Sequence, residues 1–452
     1  MGKITRRDFI RQAGLASAGL MVGGMGFSTK SYARIIGSND RVNVGVVGYS
    51  DRFRSSLLPS FMNHRERLNF DIVAVSDLWS MRREAAQENL TRRLGHAVTL
   101  CRNNDELYAD KNIDAVIIST ADFQHAYHAK EAADAGRHIY CEKPFAETMT
   151  DNVEGRRAVE RAGVVFQMGS QRRSGPNYHA ANDYIRSGRF GDIVMCEMTW
   201  NVNQPGRWRR PAEVAQVREQ DIDWRRFLAN RPYEDYDPRK YLEYRLFWPY
   251  SSGIPGQWMA HQIDTVHWFT GLHYPRSVVA NGGIYLWKDG RTNYDTMTAV
   301  FEYGPEDDPT KGFQVQYSSR FTNEAGGVKE IYYSNGGELN LDTNMVTPNG
   351  YLRARDATAM GMQENKLEEF KLEGFRVETG ANTGGDPLTS AHMLNWMACV
   401  RDGNVNTNAP VEAAYDHSVA CIMVTAAMRT KQYVEFDKEH QAVIAGGKVF
   451  QY

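Results

Sequence analysis

Residues Val44–Phe53 read VGVVGYSDRF. A run of small and β-branched apolar residues ends in Gly48 and passes into a polar turn, the form of a buried strand entering a dinucleotide-binding loop. The full loop pattern is G-x-G-x-x-G, and Gly48 alone is in place, with Ser50 and Phe53 at the second and third glycine positions. In that pattern the first glycine permits a tight turn, the second lets the backbone approach a pyrophosphate, and the third allows close helix–strand packing. Ser50 adds a small side chain and a hydroxyl able to bond a phosphate. Phe53 cannot stand in for a packing glycine unless the helix moves. A longer loop is therefore expected, with Ser55 and Ser56 taking the close contact.

Around this stretch the chain alternates short apolar runs with amphipathic ones. The runs 42–48, 70–77, 114–119 and 138–142 read as strands, and 80–94, 125–135 and 150–162 as helices, the last two closed by Gly136 and Gly163. Strands alternating with helices of this length predict a doubly wound parallel sheet covered on both faces. Ligands of such sheets bind at the carboxyl ends of the strands. Polar groups stand at four of those ends: Gly48 with Ser50, Asp51 and Arg52; Asp77; Ser119 with Thr120; and Glu142-Lys143-Pro144. Asp77 can bond ribose hydroxyls and repel a 2′-phosphate, which favours NAD over NADP, or it can cap the following helix.

The first 33 residues read as a separate segment. Thr5-Arg6-Arg7-Asp8-Phe9-Ile10-Arg11 is a twin-arginine pattern, Gln12–Thr29 is uncharged with five glycines, and Ser31-Tyr32-Ala33 offers small residues to a signal peptidase. The expectation is a chain exported folded to the periplasm. The apolar part is too short and glycine-rich for a membrane span. About 420 residues remain, divided as 34–165 and 166–452.

Net charge is −2 and the basic residues are dispersed, so nothing points to nucleic acid. Five widely spaced cysteines without a C-x-x-C pair indicate neither a disulfide framework nor a zinc site. Aromatic residues make up 11% of the chain, crowded with arginines in the middle third. That suits a sugar-binding cleft, and a large core or interface equally. The tract 200–248 reads as a cleft wall or as an arm around a neighbouring subunit.

AGRHIYCEKPFAETMTDN (135–152) resembles the E-K-P segment of the glucose–fructose oxidoreductase / inositol dehydrogenase (Gfo/Idh/MocA) family. The resemblance continues through GSQRRSGPNYHAANDYIRSGRFGDI (169–193), FWPYSSGIPGQWMAHQIDTVHWFTG (247–271) and HMLNWMACVRDG (392–403). It implies a Rossmann NAD(P) domain, then an α+β domain whose large, open, mostly antiparallel sheet commonly forms a subunit interface, here a homodimer or homotetramer. The runs 278–285, 296–303, 312–321 and 329–333 fit strands of that sheet, and a closing helix is expected at about 390–430. The resemblance also implies that Lys143 lies between nicotinamide and substrate and that His261 belongs to an acid/base motif D-x-x-x-H. The aspartate of that motif is replaced by Gln257.

Hydride transfer at a secondary alcohol needs a base for the hydroxyl proton and a group that stabilises alkoxide charge. Lys143 suits the second task. His261 suits the first, because imidazole titrates near neutral pH, although a core histidine has the same sequence signature. On a helix over 256–270, Gln257 and Asp264 share the face of His261, so Asp264 is expected to orient it in place of the absent aspartate. His261, Asp264 and His267 diverge too far to hold a metal. The nucleotide set is Gly48, Ser50, Asp51, Arg52, Asp77, Ser119, Thr120, His125, Glu142 and Lys143. Gln171, Arg173, Arg245 and Gln257 are candidates for substrate contacts, with structural arginines the plain alternative.

The function expected is an NAD(P)-dependent oxidoreductase acting on a sugar, polyol or glycoside, its cofactor tightly bound and recycled in place because an exported enzyme has no free nicotinamide pool. The alternatives are redox-neutral glycoside cleavage through a transient ketosugar, and a sugar-binding protein without catalysis.

Overall fold

The computed structural model describes residues 41–372 and 386–451. The expected export signal lies outside the described residues.

Six strands form the first sheet: β1 (Val42–Val47), β2 (Phe70–Ser76), β3 (Thr99–Cys101), β4 (Ala115–Ile118), β5 (His138–Cys141) and β6 (Phe166–Met168). Their order is 3-2-1-4-5-6, all parallel, which is the dinucleotide-binding arrangement. The reversal between β1 and β4 opens a crevice at their carboxyl ends. One sheet face carries Val44, Val46, Ile72 and Ile117 against Phe61, Leu90 and Trp396. The other carries Val116, Ile118 and Ile139 against Ala126, Ala129 and Val159.

Two of these contacts move the expected boundary after residue 165. Phe166–Met168 pairs with β5 as the last strand of the first sheet. The helix Pro387–Asp402 returns from the far end of the chain to cover that sheet with Met393 and Trp396. The single closing helix expected over 390–430 is two helices, Pro387–Asp402 and Val411–Thr430. The chain turns at Gly403 (φ 65°), where the left-handed backbone ends the first of them. Val411–Thr430 is buried nearly all round, as a helix held between two layers must be.

The loop after Gly48 is short, not longer as Phe53 suggested. The helix starts at Asp51, and its first turns widen into a π-helical stretch, Phe53–Leu57, before Leu58–Leu68. The extra residue per turn seats Phe53 in the core, its ring 5.7 Å from that of Tyr49. Of the two serines expected at the contact, Ser56 is buried and Ser55 is exposed.

The second sheet has eleven strands: β7 (Ile193–Asn201), β8 (Ser277–Gly283), β9 (Thr296–Tyr303), β10 (Phe313–Arg320), β11 (Val328–Ser334), β12 (Gly337–Asn340), β13 (Met345–Thr347), β14 (Phe370–Lys371), β15 (Val434–Asp437), β16 (Ala442–Ala445) and β17 (Lys448–Val449). The order is 14-13-12-11-7-10-9-8-15-16-17. Among the described residues, only β7 and β10 of this sheet pair in parallel. Alternation is clean along β9, where Met297, Ala299 and Phe301 are buried and Thr298 and Glu302 exposed. The buried face packs on the helix Ala260–Thr270 and on Val411–Thr430.

Between the sheets, the aromatic tract roofs the crevice of its own chain. Trp224, Phe227, Tyr241 and Tyr250 pack against Trp79 and Phe123 at the strand ends, and Trp79 bridges to Ile222.

Candidate active site

Two clefts meet at the carboxyl end of the first sheet. The first is walled by Gly48, Ser50, Asp77, Ser119 and Thr120 below and by Arg210, Phe227 and Tyr241 of the aromatic arm above. The second lies between Glu142 and Lys143 on one side and Trp200, Trp258 and His261 on the other. Ser50, Asp51, Arg52, Ser119, Thr120 and Arg245 line both, so the space is continuous.

Gly48 sits at φ 86°, and a Cβ there would stand 2.8 Å from the Ser119 carbonyl oxygen. Both the left-handed backbone and the close approach of the neighbouring strand end require glycine. Ser50 Oγ bonds Ser119 Oγ at 2.6 Å and accepts from Phe53 N at 3.2 Å, so it serves as the helix cap in the place of a glycine. The first-turn N–H groups of Asp51 and Arg52 precede any intrahelical acceptor, which suits a phosphate. Asp77 accepts from Tyr49 N at 2.8 Å and from Trp79 N at 2.9 Å. It braces the glycine turn while lining the first cleft, and it does not cap the following helix, whose N-cap is Trp79. Asp51 is held below the usual carboxylate range: burial opposes this, and Arg210 and Arg54 outweigh it.

A group with the shape and chemistry of a dinucleotide fits these residues. The glycine turn, the helix start, the acidic strand end and the large cleft coincide, and Thr120 Oγ1 and His125 Nε2 are buried on its wall without a partner among the described residues.

At the second cleft, Glu142 accepts from Arg52 Nε at 3.0 Å and from Gln171 Nε2 at 3.2 Å. Burial would raise its carboxyl, but Arg52 and Lys143 hold it below the usual range. His125 Nδ1 donates to the Pro144 carbonyl, 2.7 Å away, tying the helix His125–Asp134 to the E-K-P turn. Lys143 donates to the carbonyls of Gln257 (2.6 Å) and Gly256 (3.3 Å), across the two domains. Burial pushes its ammonium down to about 8, with Asp122 and Glu142 pulling the other way. Gly256 and Gln257 belong to a π-helical turn, Pro255–Met259, which runs into Ala260–Thr270 and presents His261. The His261 ring stacks on Trp200 at 6.0 Å and 28°. Burial, then Lys143, Arg172 and Arg52, hold it well below its ordinary value, so it is neutral at pH 7.

Two sequence-predicted residues fall elsewhere. Asp264 does not orient His261: its Oδ2 accepts from Arg173 Nε at 2.8 Å, both groups are buried, and neither lines a cleft. His261 and Asp264 both stand in the regular helix Ala260–Thr270, and the buried Arg173 claims the Asp264 carboxylate instead. Arg173 thereby leaves the substrate set, and its neighbour Arg172 faces the cleft, paired with Glu330. Gln171, Arg245 and Gln257 do line the second cleft.

Asp122 was not foreseen. It is fully buried and accepts from Ser251 Oγ and from Gln257 Nε2, each at 2.5 Å, with Arg245 Nε 3.9 Å from its other oxygen. The only sequence signal was its place just after the Ser119-Thr120 strand end. Arg207 and Trp258 also line this cleft. Among the described residues no group of three or more His, Cys, Asp or Glu is placed to hold a metal.

Residues 42–170 match the oxidoreductase family with an NAD-binding Rossmann fold, GFO_IDH_MocA. A 1,5-anhydro-D-fructose reductase of Ensifer adhaerens is 32% identical over 146 residues, 30% of this chain and 43% of the relative. An inositol 2-dehydrogenase of Salmonella typhimurium is 28% identical over 177 residues, 38% of this chain and 51% of the relative. The chain thus spans about half, or less, of the length of these curated relatives. A levoglucosan dehydrogenase solved with NADH and levoglucosan shares the fold at TM-score 0.61 and 15% identity, over 88% of this chain and 99% of that one. The first sheet, its glycine turn and its acidic strand end thus lie within the residues that match the NAD-binding Rossmann fold of this oxidoreductase family.

Proposed function

We propose that the protein oxidises or reduces a sugar, polyol or glycoside at a secondary alcohol or ketone, with NAD held across the first cleft. The observation that carries this reading is the convergence of Lys143 and His261, from different domains, on one cleft continuous with the nucleotide crevice. The nicotinamide supplies hydride chemistry when bound. Lys143, anchored by two carbonyls, holds positive charge where alkoxide develops. His261, neutral and stacked, takes the hydroxyl proton in oxidation and returns it in reduction. Gln257, held by Asp122 and Arg245, fixes the floor between them. Trp200 and Trp258, stacked on each other, give the cleft an apolar wall that excludes water.

Tight binding and recycling of the cofactor follow from export, which rests on the Arg6-Arg7 pattern. Assembly through the second sheet is supported by the exposure of Val279, next to the buried Val278, on its open face. The test is mass spectrometry of nucleotide released by denaturing the purified protein, followed by a sugar and polyol panel monitored for reduced-cofactor absorbance. NAD release with turnover of one panel member is expected. Absence of both bound and added nucleotide sinks the reading.

A further inference from the structure

Four arginines line the second cleft, and three are matched by carboxylates: Arg52 by Glu142, Arg172 by Glu330, and Arg245 by Asp122. Arg207 has no such partner among the described residues. Its Nη1 donates to the neutral Gln204 Oε1 at 2.5 Å, and its Nε is buried with no acceptor. Nor do the nearby acids serve it. Asp386 accepts from Thr389 N and Oγ1, and Asp51 is engaged by Arg54 and Arg210. The guanidinium lies over two apolar faces, 6.0 Å from the Trp208 ring centre and 5.5 Å from that of Trp258.

A partly buried cation without a counter-charge is costly, and a ligand anion at that point would offset the cost. The strain on Arg207 is consistent with this, for burial and then Arg245 push it down to about 10.

Its position fits a substrate group. His261 stacks on Trp200, Trp200 stacks on Trp258 at 6.0 Å and 5°, and the Arg207 guanidinium lies over the Trp258 ring at the far end of that column. A pyranose lying along the cleft edge of the column, with its reacting carbon near Lys143 and His261, would direct a remote substituent to Arg207. One spare guanidinium matches a monoanion, and a planar fork matches a carboxylate. A dianionic phosphate would need a second free cation, and Arg245 is already engaged by Gln257 and Asp122.

Resting on the oxidoreductase reading, we propose that the substrate is a carboxylated sugar, a hexuronic acid or its glycoside, whose carboxylate pairs with Arg207.

The experiment uses the nucleotide-loaded protein and matched hexuronates, hexoses and hexose 6-phosphates of gluco, galacto and manno configuration. Calorimetric affinity and turnover are measured for wild type, R207Q and R207K, alongside thermal unfolding and nucleotide content. At least one hexuronate is expected to bind at least about tenfold tighter than its hexose and 6-phosphate. R207Q should erase that preference and R207K keep part of it, with nucleotide content unchanged and the unfolding midpoint no lower than that of wild type. Equal binding within every set, a preference for phosphate, or a preference that survives in folded R207Q overturns the assignment. Loss of nucleotide binding in wild type overturns the oxidoreductase reading instead, whereas hexose turnover without a uronate preference overturns only the carboxylate.

Discussion

Gln257 donates its side-chain amide to the buried carboxylate of Asp122, Nε2 to Oδ2 at 2.5 Å, while its own oxygen accepts from Arg245 Nε at 3.0 Å. Gln257 occupies the position where the family resemblance leads one to expect an aspartate. The structure therefore has a carboxylate at this place after all, contributed by the other domain and in contact with the residue that replaced it.

Asp122 is the strongest charge acting to keep Lys143 protonated against burial. With Lys143 at about 8 and needed as an ammonium, kcat/KM should fall as pH rises through 8. D122N should move that descending limb to lower pH by roughly one unit, and K143M should lower kcat/KM by about 10²-fold or more. A limb that stays in place in D122N removes Asp122 from this role.

Glu147 accepts from Ser252 N and Oγ through one oxygen. Burial, reinforced by Asp122, raises it from an ordinary 4.5 to about 8. A carboxyl raised on folding adds stability that is whole below pH 4.5 and is lost as pH climbs to about 8. E147Q keeps the acceptor and removes the titration. Its unfolding free energy should match wild type near pH 4.5 and exceed it increasingly up to pH 8, by on the order of a few kcal/mol. Parallel free energies across that range would show that Glu147 does not titrate there.

The buried Arg173–Asp264 pair is read as structural. D264N leaves a buried guanidinium without its counter-ion and should cost about 3–5 kcal/mol, while R173M/D264L should recover most of it. Activity per folded molecule of the double variant should stay within about threefold of wild type. A selective loss of kcat in that variant would return Asp264 to the catalytic set.

G48A meets the Ser119 carbonyl oxygen at 2.8 Å in a left-handed backbone. The substitution should cost about 1–2 kcal/mol from backbone conformation alone and weaken NAD binding by at least about tenfold. Fluorescence titration with NADH checks it; an unchanged Kd would place the nucleotide away from this turn.

D77A removes the acceptor of both Tyr49 N and Trp79 N and the acidic group at the second strand end. It should weaken NAD binding and narrow the preference for NAD over NADP by about tenfold or more. Parallel titrations with the two nucleotides measure the ratio, and an undiminished preference assigns discrimination to another residue.

The strand ends that carry Gly48, Asp77, Ser119 and Glu142 were legible in the sequence because β1, β2, β4 and β5 are continuous apolar runs closed by polar residues. Short strands were not. β6, β12, β13 and β14 have two to four residues each, too few for any period to stand out. Phe53 misled because a glycine position implies close packing, whereas a π-helical turn moves the helix enough to bury a phenyl ring.

Local pattern by itself determined the parallel sheet, its crevice and the residues at its rim, because each depends on a strand and the turn that follows it. Pairings between distant residues were decided only by the tertiary structure. Asp122 meets Gln257 across 135 positions, Lys143 reaches Gln257 across 114, and Arg173 meets Asp264 across 91. The first two depend on how the two domains pack, the third on how the turn Gln171–Ser174 packs on the helix Ala260–Thr270, and none leaves a periodic trace in the chain. For the same reason the spare charge of Arg207 emerged only when every neighbouring carboxylate had been assigned its partner.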